Sequence, residues 1–555
     1  MKLPSDVRDA LIEARHMVGQ GRLLEAERIY RALGTPGPHR GIALEALAEL
    51  HLHQQRLDEA HQIFRELVKD DPDSLHYCAL LANFLESVGQ TQDAANAYLK
   101  LIERQPDLAV AHFNLALLLK KLEQNSQALA AYDEAIRLGI DQPEEVYSNM
   151  GVLYSEMQDA DKAREMYERA LAIAPDYVPA LFNFAGHCEE SGEKQLAIDI
   201  YERILSIDPK HWKSLARLAY PEKITAEHQG LIDRLTARID DMADDQRAQE
   251  GLYFALGKAY DDLESYDKAA AAFVAANELS KVRVLPYTPA ATEEAFGRLI
   301  DIFDSQWIES GTTDTDASPI FICGMYRSGS TLLERMLGSH PSIAAGGELN
   351  VLASLVSRHL GEFPKGAKVA TKEQLQRIAE EYDTAVRELF PGFPLVIDKR
   401  PDNFLRAGLI RAIFPAAKII QTRRDIRDNC LSLYFQQFDR AANYASDLQH
   451  IAHYYGQQER LFAHWQTCAA DSICVVDYEE LVESPEPVLR RVLEFVGLEW
   501  DDQVLDFQHS KGLVKTASNW QVRQGLHSRS KDRWRNYASL LGSMTDLALP
   551  DETLS

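Results

Sequence analysis

Pro319-Ile320-Phe321-Ile322-Cys323-Gly324-Met325-Tyr326-Arg327-Ser328-Gly329-Ser330-Thr331-Leu332-Leu333 decides the reading of the second half of the chain. Ile320 to Cys323 is an apolar run of strand length. Gly324 breaks it, and Thr331-Leu332-Leu333-Glu334-Arg335-Met336-Leu337 resumes with helical spacing. A strand, a loop with glycines and a helix start present main-chain N–H groups and the positive end of a helix dipole to an anion. The stretch therefore predicts a site for a phosphate-like group.

Gly324-x4-Gly329 followed by Ser330-Thr331 has nearly the spacing of the nucleotide-triphosphate loop, G-x-x-x-x-G-K-[ST]. The lysine is missing, and Ser330 stands in its place. That lysine reaches the β- and γ-phosphates, so its absence counts against ordinary ATP or GTP hydrolysis. The loop's one cation is Arg327, whose planar fork suits phosphate or sulfate oxygens.

Beyond the loop, short apolar runs alternate with helical patterns: Ile320–Cys323, Leu395–Ile397, Lys418–Gln421 and Ile473–Val476. Such alternation predicts a mainly parallel sheet with helices on both faces. Ligands on such sheets sit at the C-terminal strand ends.

Tyr326-Arg327-Ser328-Gly329-Ser330-Thr331-Leu332-Leu333 resembles the 5′-phosphosulfate loop of sulfotransferases, above all the protein-tyrosine sulfotransferase branch with its P-R-S-G-T-T-L. A second segment, Ile419-Ile420-Gln421-Thr422-Arg423-Arg424-Asp425-Ile426-Arg427 through Ser432, resembles the family's R-D-x-R-x-x-x-x-S. The resemblance covers about residues 317 to 540. It implies an α/β P-loop-like domain that uses 3′-phosphoadenosine 5′-phosphosulfate (PAPS) as co-substrate and no metal. It further implies that Arg327, Ser328, Gly329, Ser330 and Thr331 hold the 5′ end of the donor, and that Arg424 and Ser432 hold its 3′-phosphate. Glu348, in Gly347-Glu348, falls where the family places its catalytic base, with His340 as the alternative because other sulfotransferases use histidine. Lys399, after Leu395-Val396-Ile397-Asp398, falls where a cation stabilises the departing oxygen; Asp398 is expected to hold Lys399 or the Arg327 loop. Tyr478, in Tyr478-Glu479-Glu480-Leu481-Val482, is expected against the adenosine. Ser518 and Arg533, in the late basic stretch, are expected to close over the donor, with arginine where the family has lysine before the tryptophan.

The first half is a repeat array. Ala14, Ala48, Ala82, Ala116, Gly151 and Ala185 recur at 34 residues, with one step of 35. A second small residue follows at Ala26, Ala60, Ala94, Ala128, Ala163 and Ala197, and an aromatic at Tyr30, Phe64, Tyr98, Tyr132, Tyr167 and Tyr201. Prolines close the units at Pro38, Pro72, Pro106, Pro143, Pro175 and Pro209. This pattern resembles the tetratricopeptide (TPR) repeat. Small residues let paired helices approach, and the aromatic is expected to fill the space between successive units. Gly257, Ala269 and Phe273 predict a further unit over about 248–281, after a less regular 210–247.

The expected organisation is thus an all-α TPR solenoid over 1–303 (clear repeats about 7–210), a polar linker over 304–318, and the α/β domain over 319–555. The net charge of −26 argues against a nucleic-acid-binding surface. No apolar run approaches the ~18 residues of a membrane span. Met1-Lys2-Leu3-Pro4-Ser5-Asp6 leads into a charged helix pattern without a signal-peptide core, and a cytoplasmic location is expected. The six cysteines form no C-x-x-C pair or zinc spacing and read as reduced core thiols. The function expected is sulfuryl transfer from PAPS to an acceptor hydroxyl. A peptide or protein tyrosine held by the solenoid is the attractive acceptor, with saccharide and small-molecule hydroxyls open. The competing readings are a P-loop kinase or NTPase, opposed by the missing lysine, and a TPR scaffold with a degenerate second domain. The joint presence of Arg327, Glu348, Lys399, Arg424 and Ser432 opposes the latter.

Overall fold

The computed structural model describes residues 5–35, 37, 39–438, 440–509, 513–516, 519–520, 522–523, 526 and 530–547. Contacts divide the chain into two compact units, Met1–Asn183 and Phe184–Ser555.

The first unit is built of antiparallel helix pairs, beginning with Ser5–Gly19 and Leu23–Leu33 and continuing through Pro143–Glu156 and Ala160–Ile173. The periodic alanines are the contact points: Ala14, Ala26, Ala48, Ala60, Ala94, Ala116, Ala128 and Ala163 are all fully buried or nearly so. Where the array has Gly151 instead, a Cβ would stand 2.6 Å from the ring of Tyr167. The aromatic therefore covers the small residue of its own pair at that point. Elsewhere it also reaches the next pair, since Phe64 meets Phe84 with ring centroids 5.6 Å apart and Asn114 Nδ2 donates to the Tyr98 hydroxyl at 3.1 Å. The contacts at Phe64 and Tyr98 are those expected between successive units, and at Tyr167 the ring covers the small residue of its own pair as well.

Each helix pair turns through one residue in the left-handed region: Gly21, Gln55, Gly89, Glu123 and Gln158, with φ between 58° and 80°. An L side chain there costs roughly 1–2 kcal/mol, which explains glycine at two of the five.

The second unit begins with further helices, among them the long pair Gln246–Asp262 and Tyr266–Arg283. The segment expected as a linker carries a helix, Ser305–Gly311, and the buried Thr313 Oγ1 donates to the Ile413 carbonyl at 2.7 Å. A five-stranded parallel sheet follows: β1 (Ile320–Gly324), β2 (Ile343–Ala345), β3 (Leu395–Asp398), β4 (Lys418–Arg423) and β5 (Ile473–Asp477), in the order β2-β3-β1-β4-β5. β1 is central and buried along its whole length, as its unbroken apolar run requires. Its register pairs Ile320 with Lys418 on one side and with Ile397 on the other. Four strands coincide with the apolar runs; β2, three residues long, has no such signal.

The last helix pair and the sheet domain share one core. Phe273 stacks on Phe435 with ring centroids 3.9 Å apart and an interplanar angle of 12°. Phe254, Ala269, Phe273 and Ala276 belong to the same cluster as Met325, Cys430, Leu431, Leu433, Tyr434 and Tyr537. The buried Asn277 Nδ2 donates to the Tyr434 carbonyl at 2.8 Å. All six cysteines are free; four are buried and two half-buried. Among the described residues no helix is long and apolar enough to cross a membrane.

Candidate active site

All five strands run parallel, so their C-terminal ends lie along one edge of the sheet. Each end delivers a residue singled out in the sequence. Across the sheet the order is Glu348 after β2, Lys399 after β3, the 325–329 loop after β1, Arg424 after β4 and Tyr478 after β5. With strands about 4.8 Å apart, the row is about 20 Å long.

At its centre the loop leads into helix Ser330–Leu337 through Gly329, whose φ is 96°. A Cβ there would also stand 2.6 Å from Cδ2 of Tyr478, so this position needs glycine twice over. Arg327 has φ 68°, a conformation an arginine holds only under constraint. The constraint is visible: Ser328 Oγ donates to the Met325 carbonyl at 2.7 Å and meets Thr422 Oγ1 at 2.6 Å. Arg424 Nη1 donates to the Arg327 carbonyl at 3.2 Å. Arg327 Nε donates to Ser432 Oγ at 3.1 Å, which joins the loop to helix Ile426–Tyr434. Ser330 and Thr331 are buried at the helix start, and Thr331 Oγ1 donates to Thr516 Oγ1 at 3.2 Å.

Arginines gather at the loop, with the carboxylates of Asp428 and Glu479 within electrostatic reach of Arg424. Arg424 makes no carboxylate hydrogen bond among the described residues; its second Nη donates to the Ser530 carbonyl at 2.6 Å, and its Nε is buried without a partner. Its guanidinium lies 4.8 Å from the Tyr478 ring centroid. Burial, with the nearby Arg424 charge, pushes the Arg327 guanidinium down to about 10.

On the other flank, main-chain bonds bring Glu348 and Lys399 side by side. Gly346 N donates to the Ile397 carbonyl at 3.0 Å and Lys399 N to the Gly347 carbonyl at 2.8 Å. Lys399 Nζ then donates to Glu348 Oε1 at 2.6 Å. The lysine side chain is 1% exposed and the glutamate 44%, so a buried cation faces a carboxylate open to solvent. The alternative base is engaged otherwise: His340 Nδ1 accepts from Ser342 N at 3.1 Å, and its Nε2 lies 3.2 Å from the Glu499 carbonyl.

Arg533 is paired with Asp261 of the last helix pair and lies 5.2 Å from the Phe435 ring centroid; the Tyr537 hydroxyl donates to the same carboxylate at 2.5 Å. Ser518 lies outside the described residues. Asp398 holds neither Lys399 nor the loop. It is fully buried and accepts from Asn403 Nδ2 at 3.0 Å and the Tyr382 hydroxyl at 3.2 Å. Burial pushes its carboxyl up to about 7.

Three supporting residues escaped sequence reasoning. Thr422 braces Ser328, Asp261 holds Arg533, and Glu334 Oε1 accepts from Gly347 N at 2.7 Å and so sets the turn that carries Glu348. A carboxylate among apolar helix positions at Glu334 was the one local sign. Among the described residues no group of three His, Cys, Asp or Glu side chains is arranged for a metal ion.

Residues 319–502 match the sulfotransferase family model. Tetratricopeptide repeat models match 17–84, 80–143, 143–210 and 251–282. The chain joins TPR repeats to a C-terminal sulfotransferase-family domain. It is 31% identical over 406 residues to an uncharacterized protein of Aquifex aeolicus (strain VF5), covering 70% of this chain and 52% of that one. It is 26% identical over 210 residues to protein-tyrosine sulfotransferase A of Caenorhabditis elegans, covering 36% and 55%. The chain thus spans about half the length of these relatives. Among solved structures, the sulfotransferase domain of the Synechococcus PCC 7002 olefin synthase aligns at 23% identity and TM-score 0.32, over 43% of this chain and 92% of that one. The sulfotransferase match includes the loop, Glu348, Lys399, Arg424, Ser432 and Tyr478, and ends before Arg533.

Proposed function

We propose that this chain is a sulfotransferase that moves a sulfuryl group from PAPS to an acceptor hydroxyl, with a peptide or protein tyrosine as the acceptor a TPR-bearing enzyme would take. The observation that carries the reading is the order of groups along the strand ends: a carboxylate–lysine pair, then an anion loop, then arginine and serine, then an aromatic ring. A donor with two separated anionic ends and a purine fits that order. The buried, unpartnered Arg424 Nε supports the fit, since it leaves a donor for an anion.

PAPS, when bound, supplies the sulfuryl group, whose bond to the 5′-phosphate oxygen breaks as the acceptor oxygen bonds to sulfur. The loop N–H groups, Arg327, Ser328, Gly329, Ser330 and Thr331 hold the 5′ end. Arg424 and Ser432 hold the 3′-phosphate, and Tyr478 flanks the base. Arg533, fixed by Asp261, adds a third cation, and Ser518 is assigned to the same closure. Glu348 is exposed to an acceptor arriving from solvent and takes its hydroxyl proton. Lys399 offers its charge from a dry position, where it favours oxygens that gain negative charge in the transition state. The repeats are assigned to protein binding. Free cysteines throughout fit a reducing, cytoplasmic setting.

The test is transfer of labelled sulfate from PAPS to tyrosine-containing peptides. Glu348→Gln should lower kcat by about 10²–10⁴-fold, the range for losing a general base, with donor affinity kept. Turnover within a few-fold of the parent would remove Glu348 from the role.

A further inference from the structure

In the first unit a pocket of about 550 Å³ opens between Leu57–Asp70 and Thr91–Arg104, the second helices of two successive pairs. Its apolar lining includes Cys78, Leu81, Leu85 and Leu101, all buried. Its charged lining is Arg65, Lys69, Lys100 and Arg104 against one acid, Asp93. Arg104 is paired with Asp73 at 2.6 Å. The side chains of Arg65, Lys69 and Lys100 make no hydrogen bond or ion pair with the described residues, in a chain whose net charge is −26.

Arg65 and Lys69 are four residues apart on one helix, and Lys100 and Arg104 four apart on the other. Like charges at that spacing repel by roughly 0.2–0.5 kcal/mol per pair. Other charged side chains of the unit are joined to a neighbour of opposite sign: Arg31 with Glu27, Arg137 with Glu134, Lys162 with Asp159 and Arg169 with Glu165. Two repelling pairs placed around an apolar opening are relieved by a bound anion. The volume is that of a small-ligand pocket, generally about 300–1,000 Å³, and so takes one or two side chains. A long nucleic acid would meet the repulsion of the whole acidic chain.

We propose that this pocket docks an acidic peptide segment of a partner protein, with one apolar side chain on the Leu81 and Leu101 floor and flanking carboxylates on the two cation pairs. The inference does not depend on the chemistry of the second unit.

Anisotropy of the full chain with a fluorescein-labelled pool of dodecapeptides tests it, each peptide carrying one Leu, Met, Phe or Tyr flanked by Asp and Glu. Binding should weaken more than tenfold from 50 to 300 mM salt, and more than tenfold in Lys69→Glu/Lys100→Glu with unchanged circular dichroism. The same pool with Asn and Gln for Asp and Glu should bind at least tenfold more weakly. Equal binding of the two pools, absence of binding up to 1 mM, or an unaffected double variant would overturn the proposal. Tighter binding of a single-stranded oligonucleotide through the same lysines would also overturn it, in favour of a nucleic-acid ligand.

Discussion

Removing one ring at a repeat position should destabilise the sulfotransferase-family domain. Phe273 occupies the periodic aromatic place in the last helix pair, yet it is 1% exposed and stacked on Phe435. Phe273→Ala deletes a buried phenyl group, which costs about 3–5 kcal/mol, and a ring pair worth about 0.5–1.5 kcal/mol beyond its area. With a urea m-value of about 3 kcal/mol/M, the midpoint falls by more than about 1 M. Tryptophan fluorescence reports this cleanly, because Trp212, Trp307, Trp465, Trp500, Trp520 and Trp534 all lie beyond residue 183. The matched control is Phe64→Ala, at the same repeat position in the first unit. It should lower the helical signal's midpoint and leave the tryptophan transition in place. A Phe273→Ala protein whose tryptophan midpoint stays within 0.2 M of the parent would refute the shared core. The same core implies that a fragment starting near residue 310 exposes Phe435 and its neighbours, so assays belong on the full chain.

Three other outcomes follow. Gly89 has φ 79° and open space around its Cβ position, so Gly89→Ala should cost about 1–2 kcal/mol from backbone strain alone, read in the far-ultraviolet urea curve. Asp398 has a folded pKa of about 7, above the usual 3.8, so its stabilising contribution is complete below about pH 4 and is lost as pH rises through 7. A few kcal/mol are involved, and Asp398→Asn should flatten the decline in melting temperature between pH 5 and 8; an unchanged slope would remove this carboxyl as its source. Arg327→Ala should abolish sulfuryl transfer while the helical signal is kept, and near-parent turnover would refute the role given to the loop.

The sheet and the repeats were legible because each has a period or a run that local physics imposes. β2 was not, since Ile343-Ala344-Ala345 is too short to show one, and Gly346 continues the ladder only through the backbone. The turn residues were half legible: Gly21 and Gly89 announce a left-handed backbone, while Gln55, Glu123 and Gln158 adopt it without sign. The loop, Arg424, Ser432 and Tyr478 could be singled out because their segments resemble motifs of one family, and the structure brings them together. What escaped was long-range. Asp261 meets Arg533 across 272 positions, and Phe273 looks like any repeat aromatic until its partner is known. Asp398 was misassigned because a strand-end carboxylate next to a lysine suggests a pair, whereas its actual donors, Tyr382 and Asn403, come from flanking helical segments.

The most direct test of the donor assignment is calorimetry of the full chain with 3′-phosphoadenosine 5′-phosphate, against ATP and 5′-AMP. The account predicts tight binding that requires the 3′-phosphate and is lost in Arg424→Ala with the fold intact. Equal affinity for ligands with and without the 3′-phosphate, or undiminished binding by Arg424→Ala, would contradict it.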